Sequence, residues 1–138
     1  MVRTAAAIAA AGRALRGVCF RPQGRDKAIG LDCVGVVVTA LAEAGFHISA
    51  CADYPQRGGD PARMAAMMDG SGLRRIALAT AEAGDVLLLE TGPAQFHLAL
   101  LTGEGFVHAD AGLRRVVEVP GRPPWPVIGA WRAIAGES

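Results

Sequence analysis

A strong charge of either sign is what this chain lacks first. Fourteen basic and thirteen acidic residues leave a formal net charge of +1 over 138 residues. No global field therefore steers nucleic acid, anionic lipid or an acidic polymer toward it. Cysteine is scarce as well, with three residues at positions 19, 33 and 51, neither an even set nor a C-x-x-C pair. That argues against a disulfide framework and fits a reducing site of synthesis. No apolar run approaches the ~20 residues of a membrane-spanning helix. With neither an internal repeat nor a linker, residues 1–138 read as a single domain. A chain of this length, 51% apolar, can bury a core of its own. The opening MVRTAAAIAAAGRALRG places Arg3 before an alanine-rich run. It lacks the leucine content of an export signal, and Arg13 and Arg16 interrupt it, so an amphipathic helix is expected.

What is present falls into two halves. Residues 4–16 are expected to be helical, with Ile8 and Leu15 on one face, and 17–30 form a polar loop. The stretch GLDCVGVVVTALAEAG (30–45) suits a buried strand by its valines. Its continuation ALAEA and the closing Gly45 favour a helix. Nothing charged lies between Cys33 and Glu43, so such a helix would be buried on every side. After a loop (49–59), Asp60 and Pro61 mark a short helix over 61–69, with Met64, Met67 and Met68 as core fillers. From residue 73 onward the character changes to strands, expected at 73–79, 85–90, 96–102, 105–109, 113–119 and 127–134. The short turns TGEG and DAG make antiparallel neighbours. Helices followed by a meandering antiparallel sheet define an α+β domain.

Cys33 is the residue on which chemistry turns. A thiol with a pKa of about 8.5 is a poor nucleophile at neutral pH. A helix N-terminus favours the thiolate by ~0.3–1 kcal/mol, about one pKa unit at most, and the Asp32 carboxylate opposes it. A histidine must therefore assist. His47 lies at the far end of the helix and is excluded. His97 and His108 remain, eleven residues apart in FHLALLTGEGFVHAD, where a hairpin would bring them to one face. One could face the thiol while the other fixes its tautomer. Against this stands the tendency of free cysteine to be buried as a small apolar residue. Zinc held by Cys33, His97 and His108 is a further alternative, although no close-spaced ligand pair is present. Cys19 and Cys51 read as structural thiols. Trp125 and Trp131, in PPWPVIGAWR, read as packing residues rather than a sugar platform.

The blocks GLDCVGVVVTAL, AGDVLLLE and FHLALLTGEGFVHAD resemble, in this order, the Cys-His-His signature of NlpC-type cell-wall peptidases, a papain-like superfamily. The resemblance spans about residues 5–132. It implies a buried helix opened by Cys33 and packed on an antiparallel sheet, with His97 as base, His108 as the residue that orients it, and no cofactor or metal. It implies cleavage of a peptidoglycan stem peptide beside a γ-linked D-glutamyl residue. The family holds the substrate's free amino end with a tyrosine, a serine and an aspartate. Phe20 and Val34 stand in the first two places and Asp32 in the third, so Asp32 and Phe20 are the expected substrate-binding residues. FRPQGRDKAIGLDCVGVV is similar to the small peptidases of phage tails and gene transfer agents. That likeness implies synthesis in the bacterial cytoplasm, tail-tip or baseplate partners, and delivery to the wall by a phage-like particle.

Overall fold

The computed structural model describes residues 2–48 and 60–133. The first helix, α1 (Val2–Ala14), starts and stops two residues earlier than expected, and buries Ile8 with the following Leu15. The polar loop contains an unforeseen hairpin of β1 (Arg25–Asp26) and β2 (Gly30–Leu31). Strands of two residues carry no alternation that a sequence could display.

The ambiguous stretch is helical, as α2 (Cys33–Glu43). Asp32 caps its start, and Gly45 closes its end with φ +97°. Burial covers Cys33 through Val37, Ala40 and Leu41, whereas Val38, Thr39 and Ala42 are half-buried and Glu43 is exposed. The expected all-round burial therefore holds for the first turns only. α3 (Pro61–Asp69) begins where Asp60 accepts from the N–H of Ala62, and sends Met64 and Met68 into the core.

The expected strand at 73–79 divides into β3 (Arg74–Ile76) and a 3-10 turn over Leu78–Thr80. β4 (Val86–Gly92), β5 (Gln95–Leu101), β6 (Gly105–Asp110), β7 (Arg115–Pro120) and β8 (Val127–Arg132) complete one antiparallel sheet in the order β3-β8-β4-β5-β6-β7. Only β4 to β7 form the expected meander. β8 returns to lie between β3 and β4, a pairing at long sequence separation that no turn residue announces.

The sheet is apolar on both faces. Val86, Leu88, Leu98, Leu100, Val107, Ala109 and Trp131 join the buried residues of the three helices in one cluster. Leu87, Leu89, Ala99, Phe106 and Ala130 form a second cluster on the other face, packed against Ala81, Trp125 and Val127. Strand alternation puts odd residues of β5 and even residues of β6 on this second face. His97 and His108 therefore share it.

Candidate active site

The helix start is built from the residues beside it. Asp32 is fully buried, and its Oδ1 accepts from the N–H of Gly35 at 2.8 Å, satisfying one of the open donors of the first turn. The same oxygen accepts from Arg25 Nη1 at 2.9 Å, while Oδ2 accepts from the N–H of Gln23 at 2.9 Å. Arg25 also donates to the carbonyl of Gly24 at 2.9 Å. The chain comes so close that a side chain at Gly35 would run into the Gly24 carbonyl. One buried carboxylate thus ties the 23–25 segment to the first turn of α2. Cys33 follows it, 3% exposed, as the first helical residue.

The strands that carry the two histidines, β5 and β6, pair over a short stretch only. Their ladder pairs Leu100 with Val107 and Leu101 with Phe106 and runs no further toward His97. On its other side β5 continues to pair with β4, His97 opposite Leu89. Cys33 shares the helix-side core cluster with Leu98 and Val34, and the backbone at both favours its thiolate. The thiol therefore lies against the strand one residue past His97. His97 and His108 stand edge to face, ring centroids 6.0 Å apart, so the hairpin brings them together as expected. No hydrogen bond runs from His108 to Nδ1 of His97, which is buried and without a partner among the described residues. Ring packing, rather than a hydrogen bond to that nitrogen, is what His108 offers His97 here. Trp125 and Phe106 close around His108, at 5.9 and 5.4 Å between centroids.

Electrostatics keep this group neutral at rest. Burial pushes the Cys33 thiol up to about 12 and the Asp32 charge adds to this, while the N–H groups of Leu98 and Val34 and the Arg25 cation pull the other way. The helix-end effect anticipated from the sequence is overwhelmed by desolvation. Burial also holds the His97 imidazole below its ordinary value, against the opposing charges of Asp110 and Asp32. His108 is lowered by burial and then by His97, with Asp110 opposing. Two neutral imidazoles and a neutral thiol are the resting forms at pH 7.

Other expected residues fare differently. Asp32 was expected to contact a substrate amine, yet it is buried as a helix cap with both oxygens engaged. Phe20 is half-buried, packs on the main core and bridges Leu31 through its backbone. His47 is exposed beyond the end of α2. Cys19, expected to be a structural thiol, is exposed, because backbone bridges hold its segment at the edge of β7. Cys51 and the 49–59 loop lie outside the described residues. Trp131 is buried, with its indole N–H donating to Asp69 at 2.9 Å. Among the described residues no group of three His, Cys, Asp or Glu side chains is arranged to hold a metal ion, so Cys33, His97 and His108 form no ligand set. None of their helices is long and apolar enough to cross a membrane. Sequence reasoning missed Arg25, which could have been suspected from the need of Asp32 for a cation. It read Trp125 as packing without seeing that it packs on His108.

No known family profile and no curated protein sequence matches the chain. Solved structures do. An NLP/P60-family protein similar to lipoprotein from Staphylococcus aureus superposes with a TM-score of 0.61 at 22% identity, over 96% of this chain and 42% of its own. The peptidoglycan hydrolase RipB of Mycobacterium tuberculosis gives 0.62 at 22%, over 95% of this chain and 65% of its own. The P60 domain of an antigen from M. avium subspecies paratuberculosis gives 0.63 at 20%, covering 95% of both chains. The chain therefore spans less than two thirds of the first two proteins and nearly all of the isolated P60 domain. Its fold is the papain-like α+β fold of NlpC/P60 domains.

Proposed function

We propose, on the premise of this shared fold, that the protein is a cysteine-type hydrolase cleaving an amide in peptidoglycan stem peptides. One observation carries the reading. A cysteine thiol opens a capped, buried helix and packs in one cluster with Leu98, next to His97, whose buried Nδ1 has no hydrogen-bond partner among the described residues. A buried polar nitrogen left without a partner costs about 1–3 kcal/mol, which an interaction with the Cys33 thiol would relieve.

In this mechanism His97 takes the thiol proton as the sulfur attacks the carbonyl carbon. The backbone N–H of Cys33 faces the developing oxyanion. The C–N bond breaks, the leaving amine takes the proton from His97, and a thioester remains. Water, deprotonated by His97, then releases the acid and restores the thiol. Because the resting thiol is strongly protonated, the proton moves with attack and not before it. His108 packs against His97 and limits its rotation. The γ-D-glutamyl bond to a diamino acid is the proposed point of cleavage, supported by the resemblance around Cys33 and His97. A phage-like tail tip as carrier and partner is proposed on the likeness of residues 20–37. Detection of the protein in purified tail particles tests that part.

A second reading is a wall-binding module that retains the fold without turnover. The raised thiol favours it, as do Phe20 and Val34 in the places where the family has a tyrosine and a serine. Incubation of purified sacculi with the protein and with Cys33→Ala, followed by mass spectrometry of soluble muropeptides, separates the two. Fragments released by the first protein alone support the hydrolase. Equal release by both removes it, and sacculus binding without any release supports the module.

A further inference from the structure

We infer that Arg25 decides which amino termini the site accepts, since its guanidinium stands as the built-in counter-ion of Asp32 where the cationic end of a peptide would otherwise bind. This rests on the hydrolase reading and names its substrate class, peptides whose amino end is blocked or continued.

Two buried carboxylates occur among the described residues. Asp85 is bound by Arg132 through two hydrogen bonds, of 2.9 and 2.8 Å, in a different part of the sheet. Asp32 is the one beside the thiol. A buried carboxylate of this kind needs a cation, because an unpaired charge out of water is expensive. The helix start approaches Asp32 through the N–H of Gly35, and the loop approaches through the N–H of Gln23. Arg25 approaches at 2.9 Å with its side chain 27% exposed, so the pair meets solvent through Arg25. An arriving ammonium would have to displace a guanidinium that Gly24 also holds. The backbone beside it is closely packed, since a side chain at Gly24 would strike the Gly30 carbonyl. The same cation serves the sulfur. Its charge favours the thiolate of Cys33, against burial and the charge of Asp32.

The test uses two stem peptides alike except for a free or an acetylated terminal amine, cleaved by the full chain, Arg25→Leu and Arg25→Lys. The unaltered protein is expected to cleave the acetylated peptide at least as well as the free one. Arg25→Leu is expected to shift kcat/KM about tenfold toward the free amine through KM, and Arg25→Lys to leave the ratio in place. A tenfold preference of the unaltered protein for the free amine, or no shift in Arg25→Leu, overturns the inference. An arm independent of turnover follows alkylation of Cys33 by iodoacetamide at pH 8, with Cys19 and Cys51 replaced by serine. Arg25→Leu should slow it several-fold while Arg25→Lys does not, and an unchanged rate overturns the counter-ion role. Alkylation in that order with neither peptide cleaved would sink the hydrolase reading and uphold Arg25 as counter-ion. If Arg25→Leu does not fold, Arg25→Gln, which keeps a donor without the charge, carries the same expectations.

Discussion

Replacing Asp32 should move stability and thiol reactivity in opposite directions. Asp32→Ala removes the cap on Gly35, worth about 1 kcal/mol. It strands the N–H of Gln23, a part-buried bond worth roughly 1 kcal/mol. It also leaves Arg25 without its carboxylate. For a fully buried pair that loss is about 3–5 kcal/mol, but Arg25 is 27% exposed and water can reach it, so roughly 1–2 kcal/mol is the fitting figure. The sum is about 3–4 kcal/mol, a fall of roughly 10 °C in Tm for a chain of this size. Asp32→Asn keeps an acceptor for Gly35 and loses only the charge, so about 1–2 kcal/mol is expected. Urea unfolding with an unchanged slope measures both. Removing the charge simultaneously lifts the opposition of Asp32 to the thiolate, so Cys33 in Asp32→Asn should alkylate several-fold faster at pH 8. An Asp32→Ala cost below about 1 kcal/mol, or a slower thiol in Asp32→Asn, would refute the account of the helix start.

Further outcomes follow from the same geometry. With His97 held below its ordinary value of 6.5, by burial first, the acid limb of kcat/KM on a stem peptide should lie below pH 6.5. The linked stability effect has a definite sign: the unfolded chain binds more protons between the folded and unfolded values, so urea midpoints should fall as pH drops below 6.5. Gly35→Ala should destabilise despite the better helix propensity of alanine, by about 2 kcal/mol or more in urea melts, because the added carbon meets the Gly24 carbonyl. Trp125→Ala should expose His108 to water and raise its pKa in a proton NMR titration, whereas Trp125→Phe should not. A His108 titration unmoved by Trp125→Ala would show that the indole does not shield it.

Much of the fold was legible because its signals are local. The uncharged run after Cys33, the Asp60-Pro61 start and the alternating strands each carry their own periodicity or cap, and each appears within a few residues of its expected place. What was illegible was non-local. The place of β8 between β3 and β4 depends on pairing across the sheet, and the two-residue strands β1 and β2 have no period to detect. Cys19 read as a structural thiol because no histidine stands at a plausible spacing from it, but its exposure is set by the strand edge it lies on.

By itself the sequence determined which groups could meet: a helix opened by Cys33 and a hairpin that sets His97 near His108. These follow from spacing, since 3.6-residue and two-residue periods are properties of the chain before it folds. Tertiary structure alone decided their chemical state. The height of the thiol pKa, the neutrality of both imidazoles, and the pairing of the Asp32 cap with Arg25 all arise from burial and from the way the chain folds back on itself. Desolvation and Coulomb energy depend on what surrounds a charge in space, which residue order does not reveal.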